Sequence, residues 1–164
     1  MIVIADTSPI NYLILIGDQD LLHSLFGEVI IPEMVFQELQ AHSTPSAVRQ
    51  WVGRRPDWLS IRKATASPDN TLSHLDDGEI EAIQLAEELS ADLLLVDEKA
   101  ARKEAARRHL ATSGTLGVLD LAAERGLVDF SDSLTRLKQT SFRLSASVER
   151  FFMERDAKRK STKP

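Results

Sequence analysis

The chain has 164 residues, of which 43% are hydrophobic and 27% charged, a composition typical of one folded domain and not of a disordered segment. It has no cysteine, which excludes disulfides, thiolate zinc sites, iron–sulfur clusters and a cysteine nucleophile. The formal net charge is -5, but acidic residues dominate before Arg49 and basic residues after Arg143.

No segment has the pattern of a membrane-spanning or membrane-targeting sequence. The apolar run from Ile10 to Ile16 is far shorter than the roughly 20 residues that a spanning helix needs. No basic residue precedes an apolar stretch at the N-terminus, so no signal peptide is predicted. We therefore expect a cytoplasmic protein with no membrane partner.

In the first half of the chain, short β-branched runs predict buried strands, and apolar residues at helical spacing predict helices. The predicted strands are 1–5, 29–31 and 59–62, and the predicted helices are 10–16, 21–26, 33–41 and 46–53. The segment from Asp6 to Pro9 resembles a helix start, with a polar cap before a proline. The polar segment 64–73, which contains Pro68, predicts a loop.

The second half continues the alternation of strands and helices. The predicted strands are 93–96 and 110–113, and the predicted helices are 79–90, 98–109, 116–125, 134–139 and 147–157. This alternation predicts an α/β protein, a three-layer α/β/α sandwich with a parallel sheet of about five strands and a helical C-terminus. We predict a single domain over residues 1–157 and a disordered basic tail over 158–164.

Several kinds of functional site have no sequence support. Neither a Gly-x-Gly-x-x-Gly nor a Gly-x-x-x-x-Gly-Lys motif is present, which argues against dinucleotide and P-loop sites. No Gly-x-Ser-x-Gly motif supplies an acyl-transfer serine. The four histidines show no metal-ligand spacing; they are His23, His42, His74 and His109.

Several carboxylates occupy positions that suggest a functional site. Asp6 follows the first predicted strand and Asp97 follows the fourth. Open parallel sheets bind ligands outside the carboxyl ends of strands, where the strand order reverses. If these two strands are neighbours, both acids face one crevice. Glu38 and Glu79 continue the apolar faces of their predicted helices, which directs them toward the buried side as well.

Each acid also has a purely structural interpretation. Asp6 and Asp97 can cap the helices that follow them, Asp76 and Glu79 fit a capping box, and Glu38 can be a solvated helix residue. Taken singly, these interpretations are sufficient. Taken together they are weaker, because capping does not require two acids at the ends of two buried strands and two more on the inner edges of helices.

Crowded carboxylates raise each other's pKa, and a divalent cation relieves that repulsion. Ligation by oxygen alone, without histidine or cysteine, selects a hard ion such as Mg²⁺ or Mn²⁺. Such a cluster at the end of a sheet suits phosphodiester hydrolysis, in which one metal activates water and a second, if present, stabilises the leaving oxygen. The sequence leaves open whether one or two metals bind.

Four stretches, in their order and spacing, resemble a PIN domain. They are Ile4 to Ser8, Pro32 to Glu38, Leu75 to Ala86 and Leu93 to Asp97. Three segments are similar to one prokaryotic subgroup, the VapC-like toxins of toxin–antitoxin pairs: 78–83, 97–102 and 114–117. The resemblance spans roughly residues 1–127, and the C-terminal helices are consistent with it.

The resemblance implies a Mg²⁺- or Mn²⁺-dependent endoribonuclease that acts on RNA, is paired with a small antitoxin protein, and is consistent with a homodimer. The family acids map onto the predicted catalytic and metal-binding residues, which are Asp6, Glu38, Glu79 and Asp97. Two departures matter. Many PIN domains have Asp as the third acid, so Asp77 competes with Glu79, and many place an acid one position after the fourth, which makes Glu98 a further predicted metal ligand.

Substrate contacts are predicted at Ser8, Lys99, Arg102 and Thr115. Lys99 and Arg102 stand near the start of the helix after Asp97, where they can hold a phosphate; the alternative is a solvated basic helix face. By the resemblance, Ser8 or the preceding threonine helps to shape the first metal site. The basic C-terminal tail can contact an RNA backbone, solubilise the protein, or pack against the acidic half of a second subunit.

Two other functions remain to be weighed. The first is a PIN fold kept as a non-catalytic RNA- or protein-binding module. The second is a phosphotransferase of the haloacid-dehalogenase type, which also begins from an aspartate after a strand. That chemistry needs a second acid two residues after Asp6, where this chain has Ser8.

Overall fold

The core of the protein is one parallel sheet, described here from a computed structural model that covers residues 1–67 and 69–163. Its strands are β1 (Val3–Ala5), β2 (Val29–Pro32), β3 (Leu59–Arg62), β4 (Leu93–Leu95) and β5 (Thr112–Ser113). The spatial order is β3-β2-β1-β4-β5, and all neighbours are parallel. The strand order therefore reverses between β1 and β4, the two strands that precede Asp6 and Asp97.

Helices cover both faces of this sheet. They are α1 (Thr7–Leu15), α2 (Leu21–Phe26), α3 (Glu33–Leu39), α4 (Ser46–Gly53), α5 (Asp77–Glu88), α6 (Lys99–Arg107), α7 (Thr115–Glu124), α8 (Phe130–Lys138) and α9 (Ala146–Thr162), with a 3₁₀ turn at Asn70–Leu72. Strand residues alternate between two cores: Val3 and Ala5 face α1, α2 and α7, whereas Ile4 faces α5 and α6. The predicted three-layer α/β/α sandwich with a helical C-terminus is confirmed.

Two helices begin earlier in the chain than the local sequence pattern predicted. We predicted that the first helix begins at Ile10, but α1 begins at Thr7 and contains Pro9 as its third residue. A proline is tolerated there because the N–H groups of the first turn have no partner within the helix. Helix α8 begins at Phe130, four residues before the prediction, because Asp129 caps it by accepting from the Asp132 N–H at 3.1 Å.

Other boundaries differ from the prediction by a few residues. Helix α5 starts and ends two residues earlier than predicted, at Asp77 and Glu88. Strand β1 begins at Val3 and β5 is only Thr112–Ser113, so both strands are shorter than predicted. Part of the predicted loop 64–73 forms the 3₁₀ turn, and its Pro68 lies outside the described residues.

The prediction of a disordered tail is wrong for residues 158–162, because α9 continues to Thr162. Basic side chains of this segment pair with acidic side chains of the domain and of α9 itself. The pairs are Arg159 with Asp120 and Asp156, and Lys160 with Asp129 and Asp156. Pro164 lies outside the described residues. Neither α9 nor any other helix in the described part of the chain is both long and apolar enough to cross a lipid bilayer.

Candidate active site

Asp6 and Asp97 share one edge of the sheet. Ala5 of β1 is in register with Leu95 of β4, and the Asp6 N–H donates to the Leu95 carbonyl oxygen at 2.9 Å. Asp6 follows β1 directly, and Asp97 lies two residues beyond the end of β4. Both acids therefore stand at the carboxyl edge where the strand order reverses, which is the place where parallel sheets bind ligands.

The Asp6 carboxylate is buried, and one of its two oxygens has no hydrogen-bond partner. The residue is 4% exposed, and its Oδ1 atom has no hydrogen-bond partner. Asp6 occupies the N-cap position of α1, but its side chain makes no capping hydrogen bond. Burial, aided by the negative charges of Asp76, Glu38 and Asp97 and opposed by a hydrogen bond from the Thr7 backbone, raises the pKa of Asp6 to about 7. The capping interpretation therefore fails for Asp6, whose position calls for a proton or a cation.

Asp97 is held by three hydrogen bonds from the starts of two helices. The Ser8 hydroxyl donates to Oδ2 at 2.8 Å, the Thr115 hydroxyl donates to Oδ2 at 2.7 Å, and the Thr115 N–H donates to Oδ1 at 2.7 Å. Asp97 does not cap α6, because the N-cap of that helix is Glu98. Ser8 and Thr115, which we predicted to bind substrate, thus orient an acid, and a direct contact with RNA stays a prediction.

Glu38 joins α3 to the starts of α1 and α5. Its carboxylate accepts hydrogen bonds from the Thr7 hydroxyl and from the Gly78 N–H, the latter at 3.1 Å. Burial raises the pKa of Glu38, and the nearby charges of Asp76 and Asp77 add to the rise, while the two hydrogen bonds lower it. Glu38 is therefore not a freely solvated helix residue, and Asp77, the competing candidate, lies within its electrostatic reach.

Glu79 takes part in the N-terminal capping box of α5 and also belongs to the acid cluster. The capping box that the sequence suggested is present: the Glu79 N–H donates to Asp76 Oδ1 at 2.8 Å, and the Asp76 N–H donates to Glu79 Oε1 at 3.5 Å. The side chain is nevertheless buried. Burial raises the pKa of Glu79 to about 8, helped by the hydrogen bond and charge of Asp76 and by the charge of Asp6. The two interpretations of Glu79 are thus compatible.

Two glycines give the acids room. A Cβ on Gly78 would lie 2.6 Å from Glu38 Oε1, and a Cβ on Gly114 would lie 2.5 Å from Asp97 Oδ1. Both distances are well inside a van der Waals contact, so any larger residue would displace the carboxylate. These glycines are needed for close approach and not for unusual backbone angles, since Gly114 has an extended φ of -125°.

The sequence analysis did not predict the full role of two acids at this edge of the sheet, Asp76 and Glu81. Asp76, considered only as a cap, acts electrostatically on Asp6, Glu38 and Glu79. Its proximity in the chain to the predicted Glu79 was the available signal.

Glu81 is buried two residues after Glu79 and has a supporting position. Its Oε2 accepts from the Met34 N–H at 2.7 Å, and its Oε1 accepts from the Ala64 N–H at 3.0 Å. Because Met34 lies in the first turn of α3, Glu81 ties α5 to the helix that carries Glu38. Local periodicity alone gave no sign of these contacts.

The remaining predicted residues separate into two groups. Glu98 and Arg102 are exposed and line a cleft that adjoins Asp97. Lys99 is also exposed, but it does not line that cleft. None of the three is among the main causes that shift the pKa of Asp6, Glu38 or Glu79. The cluster itself therefore consists of Asp6, Glu38, Glu79 and Asp97, together with Asp76.

A known family accounts for most of the chain. The profile of the family DUF3368, a PIN domain, matches residues 2–157. The chain belongs to the PIN domain family. Among solved structures, this PIN domain is similar to a PilT N-terminus domain protein from the hyperthermophilic archaeon Sulfolobus solfataricus, with 17% identity and a TM-score of 0.48 over 88% of this chain and 100% of that one. No curated protein matches the chain significantly. The resemblance to a PIN domain is confirmed, and the VapC-like subgroup stays a prediction.

PIN domains are generally nucleases and typically use divalent metals, so the donor set can be tested against such an ion. Within residues 1–67 and 69–163, no three histidine or acidic side chains stand close enough together to form a ready metal site. The chemistry of the donors nevertheless fits Mg²⁺ or Mn²⁺, because every candidate ligand is a carboxylate and Asp6 Oδ1 is buried without a partner. The PIN domain thus has suitable donors that are not assembled in advance.

Proposed function

We propose that the protein is a Mg²⁺- or Mn²⁺-dependent endoribonuclease. The observation that carries this proposal is the Asp6 carboxylate, which is buried, has one oxygen without a hydrogen-bond partner and lies among the charges of neighbouring acids at the carboxyl edge of the sheet. The stability of the fold does not require this arrangement, because burying an ionised carboxylate without a counter-charge costs free energy. A hard cation would remove that cost and would make the crevice suited to hydrolysis of a phosphodiester bond.

The proposed roles follow from the contacts of each residue. Asp6, Glu38, Glu79 and Asp97 hold the ion, and Glu98 is a further candidate ligand at the exposed edge. A bound divalent ion supplies Lewis acidity and lowers the pKa of water. Ser8 and Thr115 keep the Asp97 carboxylate oriented, and Thr7 does the same for Glu38. Without an ion, Glu79 is mostly protonated and Asp6 about half protonated at pH 7, so ion binding to the ionised carboxylates releases protons.

The second candidate function is a non-catalytic RNA- or protein-binding module with the PIN fold. The observation in its favour is that, in the described part of the chain, no three candidate ligands stand at metal-binding separation. We do not propose the phosphotransferase, because the position that would need its second acid is Ser8, whose hydroxyl binds Asp97.

The test of the proposed function is metal-dependent cleavage of single-stranded RNA by the purified protein. We expect cleavage in millimolar Mg²⁺ or Mn²⁺, none in EDTA, and recovery when Mn²⁺ is added in excess of EDTA. Calorimetric titration with Mn²⁺ should show binding accompanied by proton release. If the protein neither cleaves RNA nor binds Mn²⁺, the endoribonuclease proposal fails and the binding module is favoured.

The biological role is a finer part of the same proposal. From the resemblance to the VapC-like subgroup, we propose that the protein is the toxin of a toxin–antitoxin pair, acting on RNA in the cytoplasm. A small antitoxin protein would hold it inactive, and a homodimer is the proposed assembly. This part of the proposal is supported by the matching segments 78–83, 97–102 and 114–117.

Replacing Gly114 by alanine should lower cleavage without unfolding the protein. The new Cβ would meet Asp97 Oδ1 at 2.5 Å, and the end of a short side chain can move away, so the expected loss of stability is only about 1 kcal/mol. Displacement of a metal ligand should reduce kcat/KM by about 10- to 100-fold. Gly126→Ala is unsuitable as a control because Gly126 has a positive φ, whereas a Cβ on Gly53 would make only an ordinary contact with Gln40 Oε1 at 3.9 Å, so Gly53→Ala serves as the control. Equal activity of the Gly114 and Gly53 variants would contradict the role of Asp97.

A further inference from the structure

A cleft of about 840 Å³ opens beside the acid cluster. It is lined by Ser8 and Asp97 of the acid site and by Glu98 and Arg102 near the start of α6. The linker between α8 and α9, residues 141–145, and the first turns of α9 also line it. The volume is within the range of about 300–1,000 Å³ that small-molecule sites occupy. The cleft is therefore continuous with the candidate active site and large enough for a nucleotide.

Two aromatic side chains that line the cleft are held in place by contacts with each other and with the linker. Phe142 packs edge-on against Tyr12, with ring centroids 5.1 Å apart and an interplanar angle of 85°. The Tyr12 hydroxyl and the Ser141 hydroxyl are 2.9 Å apart and share a hydrogen bond. Tyr12 lies on α1, one turn beyond Ser8, so the same helix positions both the acid site and the aromatic pair. Phe142 is half-buried, which leaves part of its ring facing the cleft.

Two arginine side chains line this cleft without contributing an ion pair to the described part of the fold. Arg102 and Arg143 are both exposed and line the cleft, and neither forms an ion pair within the described residues. The arginines that stabilise the fold behave differently: Arg108, Arg136 and Arg159 are each paired with at least one aspartate. Guanidinium groups bind phosphate oxygens in a bidentate manner and stack on bases, so these two arginines suit a nucleic acid.

We infer that this cleft binds one nucleotide of single-stranded RNA next to the bond that is cleaved, with its base stacked on Phe142 and its flanking phosphates held by Arg102 and Arg143. The inference rests on the proposed endoribonuclease function for its position beside the reacting phosphate. Unstacked bases are commonly bound on aromatic side chains beside a basic groove. The unpaired arginines and the adjoining acid site favour RNA over a peptide as the occupant.

The test separates stacking from general apolar packing. Binding of a fluorescent single-stranded RNA is measured by anisotropy in EDTA, where metal-dependent cleavage is absent. Phe142→Leu should weaken binding by about 10-fold, because it removes the stacking face, whereas Phe142→Trp should keep wild-type affinity. Phe151→Leu is the matched control, since it makes the same change at an exposed phenylalanine of α9 that does not line the cleft.

The role of the two arginines is tested by the salt dependence of RNA binding. Arg102→Ala and Arg143→Ala should each weaken binding and reduce the slope of log affinity against log salt by about 0.7, the value for one phosphate contact on a single strand. Arg54→Ala, which removes an exposed arginine outside the cleft, should leave that slope unchanged. Wild-type affinity in Phe142→Leu, Arg102→Ala and Arg143→Ala would overturn the inference, as would tight binding of an apolar peptide in the cleft that excludes RNA.

Failure of the inference can be distinguished from failure of the proposed function. If the wild-type protein cleaves RNA in Mg²⁺ and the cleft variants have unchanged KM, the function stands and the cleft inference fails. If the wild-type protein binds RNA through the cleft but never cleaves it, the cleft inference stands for binding and the nuclease proposal fails. Both hold if the cleft variants raise KM while kcat stays near its wild-type value.

Discussion

Replacing Asp6 by asparagine is expected to stabilise the metal-free protein and to abolish RNA cleavage. At pH 8 most Asp6 carboxylates are ionised, since their pKa is about 7, and each stands buried among like charges. Removing that charge should raise the free energy of unfolding in EDTA by roughly 1–3 kcal/mol. The same change removes the buried metal ligand, so kcat/KM in Mg²⁺ should fall by at least about 100-fold.

The matched control is Asp20→Asn, which makes the same chemical change at an exposed position with no side-chain capping bond. Urea unfolding and RNA cleavage are measured for both variants and the wild-type protein. Asp20→Asn should change neither quantity by more than a small fraction. Expression of the wild-type protein, but not of Asp6→Asn, should arrest bacterial growth if the toxin proposal holds. A less stable Asp6→Asn protein that still cleaves RNA would contradict the proposed role of Asp6.

The metal-free protein is expected to lose stability as the pH rises from 5.5 to 8.5. Asp6 and Glu79 have ordinary pKa values of 3.8 and 4.5, which the fold raises to about 7 and about 8. Between these limits the folded protein binds more protons than the unfolded chain, so the free energy of unfolding falls with rising pH. The contribution of these acids is complete below pH 4 and is lost as the pH passes through 7 and 8. For Asp6 alone, the loss between pH 5.5 and 8.5 is about 2 kcal/mol.

Acids whose pKa the fold lowers act in the opposite direction, but at lower pH. Hydrogen bonds from Thr71 and Arg108 lower the pKa of Asp69 to about 2, so its contribution is lost only as the pH falls through that value. Urea unfolding in EDTA at pH 5.5, 7.0 and 8.5 therefore isolates the raised acids. Saturating Mg²⁺ should flatten or reverse the decline, because the ion binds the ionised carboxylates. A metal-free stability that is constant or rises over this range would contradict the crowding of the acids.

Local signals in the sequence were sufficient for the class of fold. Short β-branched runs such as Val29–Ile31 and the apolar spacing of α5 are properties of neighbouring residues, and they predict elements wherever the chain later places them. Helix ends were predicted less well. The Asp129 cap of α8 and the extension of α9 to Thr162 depend on particular side-chain contacts, and the ion pair between Arg159 and Asp120 joins residues far apart in the chain.

The candidate site also has features that the sequence determined and features that only the tertiary structure decided. The sequence by itself determined that acids follow two buried strands, that the chain offers a hard cation only oxygen ligands from acidic side chains, and that it has no cysteine. Only the tertiary structure decided that β1 lies beside β4, that Ser8 and Thr115 hold Asp97, and that Phe142 and Tyr12 form a wall of the adjoining cleft. The reason is physical: strand pairing, burial and the resulting pKa values depend on contacts between residues about 90 or more positions apart, such as Ser8 with Asp97 and Tyr12 with Phe142, and no local pattern specifies them.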